Sequence, residues 1–191
     1  MIFLVAVISY ILGSIPAGFI ISNLIFKTDI RKLGSGNVGA TNVLRNFGKG
    51  PGFATFVFDF LKGALACYIG EKLAGELGQA IALLFAVLGH MYSFVLKFKA
   101  GKGVATAFGS LLAIDYKFAL LLLAIFIVIV LMFRIVSLAS IIAATIAGIL
   151  GFVWFGFSPL SISTFLIASL IVYKHKSNIK RLKAREEKKI F

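Results

Sequence analysis

Acidic residues and cysteine are scarce in this chain of 191 residues: seven Asp and Glu stand against twenty Lys and Arg, and Cys67 is the single cysteine. One cysteine excludes an intramolecular disulfide and any CxxC site. Cys67 lies within an apolar run and reads as a small core residue rather than an acyl-thioester nucleophile. No polar block is long enough to form a separate soluble domain. His-Glu-x-x-His runs, Cys/His sets for zinc and carboxylate pairs for magnesium are all missing, so chemistry without metal or cofactor is expected. The clustered carboxylates of CDP-alcohol phosphotransferases are absent too. So is the His-x-x-x-x-Asp signature of the common membrane glycerolipid acyltransferases, because Val95 follows His90 at that spacing and Lys180 follows His175.

What the chain has in excess is apolar length. Hydrophobic residues make up 60% of it and the mean hydropathy is +1.04, against roughly half apolar in soluble domains. The expected fold is all-α, a polytopic membrane bundle forming one integral membrane domain over 1–191, with a basic helical tail over 174–191. Apolar runs cover 2–26, 52–70, 79–96, 104–114, 118–133, 135–157 and 160–173, which fits seven transmembrane helices. The first carries Pro16 with Gly13 and Gly18, a kink signal, and lacks a basic leader region, so it is expected as a retained span. Run 104–114 reaches only about 17 Å at helical rise and is either extended through Asp115 or re-entrant. A five-span arrangement, without crossings by the fourth and seventh runs, is the alternative.

The net charge of +13 does not signal nucleic acid, because the basic residues punctuate hydrophobic spans instead of decorating a globular face. With the N-terminus outside, the inner segments 27–50, 97–103, Arg134 and 174–191 hold seventeen of the twenty Lys and Arg. The positive-inside rule favours that orientation and a cytoplasmic C-terminus. The tail is expected to lie on anionic lipid headgroups, tempered by Glu186 and Glu187.

In this topology three polar stretches meet on the cytoplasmic face. The first, Gly34 to Arg45, contains Ser35, Gly36, Asn37, Gly39, Thr41 and Asn42. Glycines there allow close backbone approach, while hydroxyls, amides and a guanidinium complete an oxyanion cradle; the bland alternative is a flexible interhelical loop. The second places Gly101, Lys102, Gly103 and Thr106 at a helix start, where free N–H groups favour an anion, although glycine turns and membrane-side lysines would read the same way. It is not a Walker A loop, since its spacing differs. The third puts His175 and Asn178 three apart on one helical face. Within the second run, Asp59 and Lys62 are expected to pair, and Lys62 either stays structural or serves a substrate phosphate. His90 reads as a packing or hydrogen-bonding residue.

These three stretches, Ser35-Gly36-Asn37-Val38-Gly39-Ala40-Thr41-Asn42 through Arg45, Gly101-Lys102-Gly103-Val104-Ala105-Thr106, and His175 with Asn178-Ile179, resemble in order and spacing the three signature motifs of the bacterial acyl-phosphate:glycerol-3-phosphate acyltransferases. Ala100, where the pattern usually has glycine, is a minor departure. The resemblance implies transfer of a fatty acyl group from acyl phosphate to the sn-1 hydroxyl of glycerol 3-phosphate, giving lysophosphatidic acid and phosphate in phospholipid biosynthesis. It also implies membrane lipids as surroundings and an upstream enzyme that forms acyl phosphate. Two phosphate dianions about 6 Å apart repel by roughly 11 kcal/mol at an effective dielectric near 20, so fixed cations such as Arg45, Lys102 and Lys62 are needed. In this scheme Arg45 and Ser35 bind one phosphate, Lys102 with the backbone of 101–103 holds the other, and His175 and Asn178 position the hydroxyl and handle its proton. The glycerol phosphate dianion is the alternative proton acceptor. An apolar groove between spans is expected for the acyl chain, whose burial is worth about 0.8 kcal/mol per methylene. A transporter of a phosphorylated solute is the rival class, but inverted repeats and a midplane site, usual there, are not evident.

Overall fold

In a computed structural model, which describes residues 1–190, the chain is helical throughout its regular structure. In chain order the helices are α1 (Ile2–Ser14), α2 (Ala17–Phe26), α3 (Ala40–Phe47), α4 (Lys49–Met91), α5 (Val104–Ile114), α6 (Tyr116–Phe133), α7 (Val136–Phe155), α8 (Pro159–Lys174) and α9 (Lys176–Lys183). Four stretches are long and apolar enough to cross a membrane: Ile2–Phe26, Lys49–Leu96, Tyr116–Phe133 and Val136–Phe155. Val104–Ile114 and Pro159–Lys174 are shorter apolar helices. Packing groups the chain into two compact units, Met1–Ile114 and Asp115 onward.

In the first unit, the two runs expected at 52–70 and 79–96 are the arms of α4. The helix breaks at Ala74 (φ −152°, ψ 24°) and Gly75 (φ 59°, ψ −145°), a conformation glycine adopts without steric cost. The arms then run side by side closely enough that a Cβ on Gly70 would strike the Gly78 backbone. The same device repeats between helices. A Cβ on Gly13 would strike the Ala86 backbone, one on Gly89 the Tyr10 backbone, one on Gly63 the Thr106 backbone and one on Gly109 the Phe60 backbone. In lipid, where apolar surface gains little by meeting apolar surface, such close backbone contact is what holds helices together.

The expected kink falls at Ile15–Pro16, which separates α1 from α2. Carbonyls at a helix end lack intrahelical donors. Here they are satisfied by remote side chains: Ser93 Oγ donates to Ser14 O, and Lys62 Nζ donates to Ile15 O at 2.7 Å. Tyr10 OH adds a bond to Tyr92 O at 2.7 Å. The break in the first span thus selects where two polar side chains of α4 and its exit loop point.

The second unit stacks α6, α7 and α8. Phe118 packs its ring 5.5 Å from Trp154 and 5.0 Å from Phe155, and Ser158 and Ser161 form a capping box before the Pro159 start of α8. The helical tail is shorter than the expected 174–191. α9 ends at Lys183, and Arg185 takes a left-handed φ of 58° that turns the chain back, with Ile190 N–H reaching Arg134 O at 2.8 Å. That return is held by the Glu187 side chain, which accepts hydrogen bonds from Ser137, Asn178 and Arg181.

Candidate active site

The first glycine-rich stretch is an ordered turn organised by one buried amide. Asn42, 4% exposed, accepts from Ser35 N–H at 3.0 Å and donates to Leu33 O at 3.0 Å and Asn37 O at 2.8 Å. Asn46 adds bonds to Asn42 O and Oδ1. Gly34 (φ 55°) has no room for a Cβ, which would meet Asn42 Oδ1. With its amide spent on the loop's own backbone, Asn42 shapes the cradle from within, a role different from the direct ligand expected above. Asn37 and Gly39 lie half-buried at the loop's end, where Gly39 caps α3, while Ser35 and Gly36 are exposed. Thr41 and Arg45 follow four residues apart on α3, half-buried and exposed respectively.

An apolar cluster of Ile30, Val38, Val43 and Leu96, with Phe19, Leu33, Phe47 and Ala100 against it, fastens this loop to the second one. Gly101, Lys102 and Gly103 directly precede α5, as expected for a helix-start loop, with Lys102 half-buried. Thr106 departs from expectation. It is wholly buried in the α4–α5 contact, so its hydroxyl is not presented to a substrate.

Beneath the two loops lies a buried ionic cluster. Asp59 (2% exposed) pairs with Lys62 Nζ at 2.7 Å, and His90 Nδ1 lies 3.4 Å from the same carboxylate oxygen. His90 ties the cluster to the second loop: its carbonyl accepts from Gly101 N–H at 3.1 Å and its ring fills the space that a Cβ on Gly101 would need. Gly13, Ser14, Val38, Ser93 and Ala100 complete the recess around these charges. Lys62 also stands on the wall of a second cavity of about 740 Å³, an apolar groove between α1–α2 and the first arm of α4 lined by Leu12, Ile20, Phe58, Leu61, Leu65 and Tyr68 and bounded by Ala113. A lysine thus separates a polar recess from an apolar groove. Asp59 and Lys62 are legible as a pair from their spacing of three, whereas His90, Ser14 and Ser93 join them from separate helical segments and leave no local spacing signal.

In the second unit, His175 and Asn178 are both buried, at 3% and 5% exposure, at the junction of α8 and α9. His175 Nδ1 lies 2.8 Å from Ile171 O. A carbonyl only accepts, so Nδ1 carries hydrogen and Nε2 is the basic nitrogen of the neutral ring. Asn178 Nδ2 donates to Glu187 Oε1 at 2.7 Å, so this acid does more than temper the charge of the tail.

The fold and these sites define a multi-pass helical membrane protein that sets anion-suited loops and a buried lysine beside an apolar groove. The glycerol-3-phosphate acyltransferase family model matches residues 3–185. A glycerol-3-phosphate acyltransferase of Carboxydothermus hydrogenoformans is 46% identical over 100% of this chain and 97% of the relative, and that of Finegoldia magna is 39% identical over 98% and 95%. The crystal structure of PlsY, an integral membrane glycerol 3-phosphate acyltransferase, in its glycerol 3-phosphate form superposes with a TM-score of 0.94 at 40% identity, covering 98% of this chain and 94% of that one. Its lysophosphatidic acid form gives a TM-score of 0.90. This chain belongs to the glycerol-3-phosphate acyltransferase family.

Proposed function

We propose that this enzyme takes its acyl group from acyl phosphate and delivers it to the sn-1 hydroxyl of glycerol 3-phosphate, without metal, at the cytoplasmic face of a bacterial cytoplasmic membrane. The observation that carries this reading is the groove of about 740 Å³ ending at Lys62 beside the recess under the two loops. An acyl phosphate has the same polarity, a long apolar chain ending in a dianion. Burying fourteen methylenes is worth around 11 kcal/mol at about 0.8 kcal/mol each, so the donor's tail belongs in lipid and groove while its head reaches the cations. Soluble glycerol 3-phosphate arrives from the water side, and an upstream enzyme must supply the activated donor.

In the reaction, the acceptor hydroxyl oxygen bonds to the acyl carbon, the bond from that carbon to the phosphate oxygen breaks, and the hydroxyl proton is lost. Phosphate is a good leaving group, so orientation and charge stabilisation suffice. Ser35 and Arg45, with the backbone of Gly36, Asn37 and Gly39 and the hydroxyl of Thr41, bind one phosphate. Lys102 and the Gly101–Gly103 backbone bind the other, and Lys62 marks where the acyl chain meets its charged head. His175 and Asn178 position the hydroxyl and handle its proton.

Ala64, half-buried on the groove wall, provides the test. Ala64→Trp should displace about two methylenes of the donor and raise KM for palmitoyl phosphate about tenfold, leaving KM for glycerol 3-phosphate unchanged. Equal donor KM values in the two proteins would remove the groove from the scheme.

A further inference from the structure

We propose that Phe98, with Lys97 and Lys99 on either side of it, is an interfacial anchor that beds the second glycine loop in the headgroup region of anionic lipid. This rests on the reading above that the loop lies at the cytoplasmic face, and its effect on activity rests on Lys102 binding a substrate phosphate. The segment 92–100 has two sides. Its inner side is bolted to the fold: Ser93 and Leu96 are buried, Ser93 Oγ donates to Ser14 O, and Leu96 joins the cluster of Ile30, Val38 and Val43 against which Ala100 packs. Its outer side is apolar and open. Phe94 and Val95, in the single 3₁₀ turn Phe94–Leu96, are exposed, and so is Phe98 beyond it, at 59%, between the exposed Lys97 and Lys99. The apolar stretch long enough to cross a membrane ends at Leu96, so this side lies where hydrocarbon gives way to headgroups.

The backbone supplies a second observation. Lys97 (φ 53°) and Phe98 (φ 61°) are consecutive left-handed residues, and Phe98 N–H returns to Ser93 O at 2.8 Å. Among the described residues, five other than glycine have positive φ; four are Lys or Arg, and Phe98 alone is apolar. A left-handed turn facing water is made without strain by glycine and more readily by asparagine than by a bulky side chain. Phe98 combines a strained backbone with an open ring, so packing against the protein does not offset the strain. Lipid does. A ring that enters the boundary between headgroups and acyl chains, with ammonium groups beside it at anionic headgroups, is the chemistry of an interfacial segment. Lys102 follows four residues later, so the depth of Phe98 in the leaflet sets where its loop sits.

The test places a nitroxide at Phe98→Cys in the full-length protein; Cys67, the single native cysteine, is fully buried and stays unlabelled. In phosphatidylglycerol nanodiscs the nitroxide should collide more often with oxygen, which concentrates in lipid, than with a water-soluble nickel chelate. Phosphatidylcholine, which has no net charge, should lower that ratio; an equal ratio would overturn the pairing of the two lysines with anionic headgroups. Phe98→Gly removes the ring and relieves the turn at once, so it separates the anchor from a mere turn residue. In the same nanodiscs it should raise about tenfold the KM of the substrate whose phosphate Lys102 holds, identified as the one affected in Lys102→Met. Tenfold is the lower end of what burying a phenylalanine ring is worth, and a loop less often in its binding geometry binds proportionately less tightly. Phe98→Trp should restore the parental KM. Collisions dominated by nickel, or parental KM values in Phe98→Gly, would overturn the proposal. Parental KM values in Lys102→Met would instead remove that lysine from substrate binding and leave the nitroxide to decide the anchor.

Discussion

Asp59→Ala should lower the thermal midpoint of the detergent-solubilised protein by about 6–20 °C. The carboxylate is 2% exposed, 2.7 Å from Lys62 Nζ and 3.4 Å from His90 Nδ1. Removing one member of a buried pair strands the other charge, at a cost of about 3–5 kcal/mol, and each kcal/mol moves the midpoint of a chain this size by about 2–4 °C. Cys67 supplies the readout. It is the single cysteine and fully buried, so a thiol-reactive dye added during heating reports unfolding. Neutralising both partners, as in Asp59→Asn/Lys62→Met, should recover most of the stability because no unpaired charge remains. If Lys62 serves the donor's head group, that recovered protein will have a raised KM for palmitoyl phosphate; a parental KM would make the pair purely structural.

Gly101→Ala should reduce acyl transfer at least a hundredfold while leaving the fold in place. Gly101 has no room for a methyl group, because a Cβ would overlap His90 Nε2, and His90 is itself held against Asp59. The loop must therefore move, taking Lys102 and the N–H groups of 101–103 with it. Displacements of about 1 Å in positioning groups cost on the order of 10²-fold in rate. Parental activity in Gly101→Ala, with an unchanged dye-reported midpoint, would show that the loop's seat on His90 is dispensable.

The elements legible in the sequence are those whose requirements are local. The Gly34–Arg45 and Gly101–Gly103 loops stood out because small and polar residues interrupt long apolar runs, and the break in α4 was visible as the gap between runs 52–70 and 79–96. Pro16 announced the kink, though not its consequence, that the freed carbonyls of Ser14 and Ile15 recruit Ser93 and Lys62. Asn42 shows the limit of reading a motif by residue type. An amide in a phosphate-suited loop looks like a ligand, yet this one is consumed by the loop's own backbone. His90 and Glu187 were illegible for a different reason. Asp59 and His90 lie on different arms of α4, and Ser137 is 50 residues from Glu187, so only tertiary packing brings these groups together.

The central claim is that the acyl donor is an acyl phosphate. Purified protein should be incubated with glycerol 3-phosphate in chelator, with palmitoyl phosphate, palmitoyl-CoA or palmitoyl acyl-carrier protein as donor, and lysophosphatidic acid and phosphate measured. Equal amounts of the two products, formed only from palmitoyl phosphate, are predicted. Product from a thioester and none from palmitoyl phosphate would contradict the account.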